Sequence, residues 1–427
     1  MEKTTCPVCG FFTPNDPVCM GASDSESIQN AVDAASRCGV GKVVIPAVNA
    51  RTGECRWNVD RAILLPDHIH VVLDNAYLRQ TDGSMDNVFR NAGMYAPEWL
   101  TPAGEQTDIR LSGIGTAVID GGVPNGLTQG TSEKNGFPHV RFNNPILLHN
   151  VRNFSVENLI IRNQRWWGMN LCFCTDGRLS DITFEADDSI LNQDGIDLRI
   201  GCQRIIVERI RGQAGDDLIA LSGFLGGDKK LAVEGKSIDI RDILIRDVMG
   251  TSVSKTLVAL RNHDGCVIRD ITIDNIHDTS VGSDANHPYA VVRIGQKMYS
   301  HTRRSEPGET SNIHISNIHA HAYHGILINV TLTESVIRGI FCDKNVICAV
   351  TTHVGEDVAE KAHIRNIVQG AFIRNTVIED IFCEPGGESD RAVVELARWE
   401  DCDGEENVTV RNIYAAGRRD VYSDFDT

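Results

Sequence analysis

Ile240-Arg241-Asp242-Ile243, Ile268-Arg269-Asp270-Ile271 and Ile315-Ser316-Asn317-Ile318 repeat one four-residue figure along the chain. It is an aliphatic residue, most often β-branched, then a polar residue, then Asp or Asn, then Ile or Leu. Val156-Glu157-Asn158-Leu159 and Leu179-Ser180-Asp181-Ile182 are earlier copies; Ile378-Glu379-Asp380-Ile381 and Val410-Arg411-Asn412-Ile413 are later ones. Successive copies lie about 22 to 33 residues apart, with some gaps near twice that. A repeat of this length marks a solenoid, in which each unit buries its apolar side only against its neighbours. Strands of successive coils would stack about 4.8 Å apart. Asp or Asn would sit where each coil turns, because both tolerate the left-handed backbone and bond their own main chain. An antiparallel sandwich or propeller would call for Asn-Gly hairpin turns between strands; here the turns are irregular and the repeat length varies. The fold expected is all-β: a single-stranded, right-handed parallel β-helix with an N-terminal capping α-helix.

The cap is read from Ser23-Asp24-Ser25-Glu26, a capping pattern, followed by Ile28, Ala31, Val32 and Ala35 at helical spacing and ended by Gly39 and Gly41. Lys42-Val43-Val44-Ile45-Pro46 follows as a buried strand, and no second long helix is expected. Residues 1–427 then form one domain: a cysteine-containing extension (1–22), the capping helix (24–38) and the coils (42–427). Segments 84–107 and 282–312 read as loop insertions that wall a cleft or form a subunit contact.

The net charge is −17 and the pI about 5.2, which argues against nucleic acid and anionic membranes as partners. No apolar run is long enough to span a bilayer. Met1 to Thr5 is polar and leads into Cys6-Pro7-Val8-Cys9, not an apolar signal core. Thirteen scattered cysteines, an odd number, read as reduced thiols. A cytoplasmic location is the expectation, and homo-oligomers stay open. Cys6, Cys9 and Cys19, with Cys38 or Cys55, are a weak zinc candidate because no second Cys-x-x-Cys pair follows.

Two segments depart from the structural repeat. Asn192-Gln193-Asp194-Gly195-Ile196 and Gly215-Asp216-Asp217-Leu218-Ile219 both place acids just before a buried strand. They lie 22 residues apart, one coil, so Asp194, Asp216 and Asp217 should be neighbours on one outer face. Clustered carboxylates repel and raise at least one pKa, giving a protonated acid beside an ionised base. Glycoside hydrolysis needs that pair. Solvated turn aspartates and a Ca²⁺ site are the competing readings.

The cap and its strand, Gly113-Ile114-Gly115 with Ile119-Asp120-Gly121, and the two acid segments together resemble glycoside hydrolase family 28. This is the polygalacturonase-like family of the pectin lyase-like β-helix proteins. The resemblance implies an inverting glycosidase without metal or cofactor, acting on a pectin-derived or other plant or microbial oligosaccharide. It assigns Asp216 as general acid, with Asp194 and Asp217 positioning and deprotonating the water. The family's Gly-His-Gly is not found here; Val253-Ser254-Lys255-Thr256-Leu257 or Arg261-Asn262-His263-Asp264-Gly265 stands in its region. Its Arg-Ile-Lys is matched only by Arg293-Ile294-Gly295. Arg293, Lys255, His263, Arg261, Asn192 and Trp166, from Trp166-Trp167-Gly168, are the candidate sugar-binding residues, with His287, Tyr289 and Arg199 as possible neighbours of the cleft. A β-elimination lyase or epimerase, and a non-catalytic carbohydrate-binding β-helix, are the alternatives.

Overall fold

The computed structural model describes residues 10–94, 104–132, 137–187, 190, 192–224, 231–253, 255–281, 287–295, 303–361, 370–387, 389–399 and 406–427. The helix is Asp24–Arg37, with Ser23 as its N-cap accepting from the Glu26 amide. The Glu26 carboxylate in turn accepts from the amide of Ala22, the residue before the N-cap. Ile28, Ala31, Val32 and Ala35 of this helix join the main core, and the helix packs on the first strands. It covers apolar surface that the first coil would otherwise expose.

After the helix the described chain is almost entirely β, with a short 3-10 helix, Val140–Asn143, and one further α-helix, Glu356–Lys361. The strands form two sheets, one of 17 strands and one of 12. The shorter strands make the 12-stranded sheet, and each pairs in parallel with its equivalent in the next coil. One inward column runs Ile63, Phe89, Ile146, Met169, Ile196, Ile219, Val258, Val292, Ile326, Val350, Val394 and Val421. A facing column in the longer sheet includes Val156, Leu179, Val207, Ile245, Ile273, Ile315 and Ile337. The two columns belong to a single continuous core, so the right-handed parallel β-helix expected from the repeat is what the chain forms. Replacing one of the fully buried Ile, Leu or Met side chains of these columns by Ala would leave a cavity costing about 2–5 kcal/mol.

The Asp or Asn of the repeat sits at one of two bends in the longer sheet: Asn158, Asp181, Asn317, Asp380 and Asn412 belong to one, Asp242 and Asp270 to the other. Asn158, Asp181, Asp242, Asp270, Asn317, Asp380 and Asn412 all have φ between 56° and 60°. In the coil Val207-Glu208-Arg209-Ile210 an arginine takes that place at the first bend, and Arg209 adopts the same conformation, at φ 53°. Arg209 is anchored there by the Asp181 carboxylate of the previous coil, with nitrogen–oxygen distances of 2.7 Å. At another corner the long strands pass into the short ones: Gln203–Ala214 leads through residues 215–218 into Ile219–Gly223. The acid segments lie at that corner.

Candidate active site

Register decides which carboxylates meet. Ile196 pairs with Ile219, and the Gly195 amide donates to the Asp217 carbonyl at 3.0 Å. Asp194 therefore stacks on Asp217, while Gln193 stands opposite Asp216. The coil repeat here is 23 residues, not the 22 read from Asp194 to Asp216. Gly195 permits the close stacking, since a Cβ there would meet the Leu218 carbonyl oxygen at 2.4 Å. One oxygen from each of Asp194, Asp216 and Asp217 lies within 4.8 Å of the others.

The three differ in surroundings. Asp217 is fully buried. Its Oδ2 accepts from Arg293 at 2.7 Å and from Arg261 at 3.3 Å, and its Oδ1 from the Thr256 hydroxyl at 2.5 Å. Burial alone would raise this carboxyl; the guanidiniums of Arg293 and Arg261 and the Thr256 hydroxyl outweigh it and hold Asp217 below the ordinary range. Asp216 is only half-buried and accepts from Asn192 Nδ2 at 3.3 Å and from the Asp217 amide at 3.0 Å. Burial and then the adjacent Asp217 push Asp216 up to about 6, against Lys255, Arg261 and Arg293. Asp194 is buried, and its Oδ1 has no hydrogen-bond partner. Burial and then Asp216 raise it well above the ordinary value. The corner thus holds one carboxylate kept ionised beside two that keep their protons to higher pH, Asp216 to about 6 and Asp194 well above its ordinary value.

Arg293 reaches Asp217 because of what lies between them. Asn170, Asp197, Ala220, Ala259 and Arg293 form one outward-facing column. The two alanines leave the space over which the Arg293 side chain folds back. Arg199, Ser222 and Arg261 form the next outward column, again with a small residue in the middle. The Arg199 guanidinium lies 4.6 Å over the Trp167 ring, that of Arg261 lies 4.9 Å over Phe224, and that of Arg293 lies 5.6 Å from the Tyr289 ring.

Of the sugar-binding candidates, Arg293, Arg261 and Asn192 meet the carboxylates directly, and Lys255 adds positive charge beside Asp216 and Asp217. Two others are placed differently. Trp166 is buried among Leu127 and Val140, beneath a stacked Trp167 at 3.9 Å, because the apolar floor of that coil takes the first of the two rings. Trp167 is the half-exposed one. His263 is fully buried, stacked on Phe224 and bonded through Nδ1 to the Arg303 carbonyl, so it offers no surface to a sugar. His287 is tied to the His321 carbonyl at 2.7 Å.

Asp197 and Thr256 were not singled out as site residues. The alternation Ile196-Asp197-Leu198-Arg199 carries a signal for Asp197: if the aliphatic residues face inward, Asp197 faces the acid corner. Thr256 has no such local signal. Among the described residues the acid trio is the one group spaced to hold a metal ion. Its most strongly ionised member already takes two guanidiniums, which oppose a cation at the same oxygen. Cys6 and Cys9 of the zinc candidate lie outside the described residues; Cys19 is buried and Cys55 exposed.

Residues 96–234, which contain both acid segments, match the model of glycosyl hydrolases family 28. The resemblance to that family holds. No curated protein matches the chain. Among solved structures, a polygalacturonase from Erwinia carotovora ssp. carotovora is similar over 94% of each chain, at 14% identity and a TM-score of 0.51. The A-module of the mannuronan C-5 epimerase AlgE4 from Azotobacter vinelandii is similar over 95% of this chain and 96% of its own, at 14% identity and a TM-score of 0.55. A tailspike protein mutant of E. coli bacteriophage HK620, solved with a hexasaccharide, is similar over 91% of this chain and 68% of its own, at 13% identity and a TM-score of 0.58. These three likenesses are of fold. The departure from the Arg-Ile-Lys pattern is built into the backbone. Gly295 has φ 124°, and a Cβ there would lie 3.1 Å from Asn329 and Val330. A lysine at 295 would be strained.

Proposed function

We propose that the protein is a glycosidase that hydrolyses a uronate-containing oligosaccharide by single displacement. The observation that carries this reading is the split within one cluster: Asp217 clamped as an anion beside a half-exposed Asp216 whose carboxyl is pushed up to about 6, so that it can give a proton in mildly acid solution. Asp216 gives its proton to the leaving glycosidic oxygen as the bond to the anomeric carbon breaks. A water attacks that carbon, and Asp217 takes its proton. The unpartnered Asp194 Oδ1 is the group that holds the water. The short spacing of the trio is below the roughly 6.5–9.5 Å usual for an inverting pair and nearer the ~5–5.5 Å of a retaining one. Burial favours inversion nonetheless. Asp217 is enclosed, with both oxygens held, so it acts on the sugar through water and not as a nucleophile. Arg199, Arg261, Arg293 and Lys255 gather positive charge at this corner of an acidic protein, which suits a sugar carboxylate.

Short galacturonate oligosaccharides and their neutral counterparts, incubated in H₂¹⁸O and followed by mass spectrometry, test the reading. One ¹⁸O at the newly formed anomeric hydroxyl of the non-reducing-side product, and an inverted anomer in early NMR spectra, are expected. A product lighter by one water and without label would mean elimination and would overturn the roles given to the aspartates.

A further inference from the structure

A fourth carboxyl is buried at the acid corner. Asp197 lies three residues after Asp194, on the strand Ile196–Arg199, facing outward between two core residues. It is fully buried, and neither of its oxygens has a hydrogen-bond partner. Its neighbours along the column are Asn170 on one side and Ala220 on the other, and neither carries charge. The charged groups acting on it are Arg199 on its own strand, Arg261 two strands on, and Asp216 and Asp217 from the corner before the next strand. Asp194, just before its strand, feels it in turn. A buried carboxylate anion with no hydrogen bond to either oxygen is a costly arrangement; a neutral carboxyl is a tolerable one.

We propose that Asp197 is a positioning residue that must be uncharged for a carboxylate-bearing sugar to settle at the acid corner. This rests on the uronate-hydrolase reading above and adds the device that sets its alkaline limit. Once ionised, Asp197 adds a further fixed negative charge to the cluster beside Asp217, where little water screens it. A substrate carboxylate is then repelled. Burial pushes Asp197 up to about 8, against the pull of Arg199 and Arg261. The change is therefore expected just above neutral pH.

The test is calorimetric binding of digalacturonate to the full chain from pH 6 to 9, with a neutral galactose disaccharide as comparison. Wild-type affinity for digalacturonate should fall about fivefold between pH 8 and 9, with uptake of a proton on binding. In Asp197→Asn the fall should shrink to less than about threefold, while any step near pH 6 from Asp216 persists. The neutral disaccharide should show no step near pH 8. Proton uptake, measured on the wild type in two buffers of different ionisation enthalpy, needs no variant and keeps the proposal testable if Asp197→Asn does not fold. A flat wild-type profile, or an equal fall in Asp197→Asn, would overturn the role of Asp197. Digalacturonate failing to bind at every pH while the neutral sugar binds would overturn the uronate reading itself, and this proposal with it.

Discussion

Two sets of aspartates stand on the same coils and do opposite things. Asp181, Asp242, Asp270 and Asp380 sit at the two bends of the longer sheet with φ near +58°, at or near the surface, and several bond the next coil through Asn or Arg. Their carboxylates are solvated or paired, so they serve the backbone. Asp194, Asp197, Asp216 and Asp217 stand at another corner, where they are largely enclosed and face one another. There the same side chain cannot ionise at all four positions. Arginines and a hydroxyl select Asp217 to carry the charge, and burial leaves protons on Asp194 and Asp197 near neutral pH and on Asp216 up to about pH 6. Residue type is shared between the two sets; desolvation and register separate them.

The sharpest way to break this comparison is Asp216→Asn. Turnover should fall by about 10²–10⁴-fold with the fold retained, because a general acid is removed while shape is kept; steady-state kinetics beside circular dichroism would show it, and unchanged turnover would sink the assignment. Next in size is Arg293→Met, which strands the buried Asp217 charge. A loss of about 3–5 kcal/mol in denaturant unfolding is expected, whereas a neutral result would mean that Arg261 and Thr256 suffice.

The third prediction turns on pH. Asp197 keeps its proton in the folded chain up to about 8, against an ordinary value of 3.8, so the folded state binds more protons than the unfolded state in between. Stability must then fall as pH rises from about 4 to 8. Asp197→Asn lacks that loss: its melting temperature should match wild type near pH 4 and exceed it by several degrees near pH 8. A constant difference across that range would mean that the side chain is not titrating there. The smallest effect belongs to the other set. Asp242→Ala puts Ala at φ 58°, and about 1 kcal/mol of stability should be lost with activity unchanged. A loss of activity would show that the two regions are coupled through the coil.

Much of this was legible in the residues. The β-helix followed from Ile, Val and Leu around a recurring Asp or Asn, because inward stacking and left-handed turns are local demands that each coil meets in the same way. The cap followed from Ser23 and Glu26, again a local matter. The acid segments stood out because they break the repeat. Register was less visible: counting from Asp194 to Asp216 gave 22 residues, but the hydrogen bonds pair Asp194 with Asp217. Trp166 and Trp167 read alike, and packing alone buried one and left the other beside Arg199.

What the sequence by itself determined, then, is the coil, its cap and the presence of an acid corner, since periodicity and local backbone preference specify them. Only the tertiary structure decided which carboxylate is ionised. That choice depends on Arg261 and Arg293 arriving from strands 44 and 76 residues away, over a floor of Ala220 and Ala259 small enough to let Arg293 reach back. Charge state is set by distance and dielectric, and neither can be read along the chain.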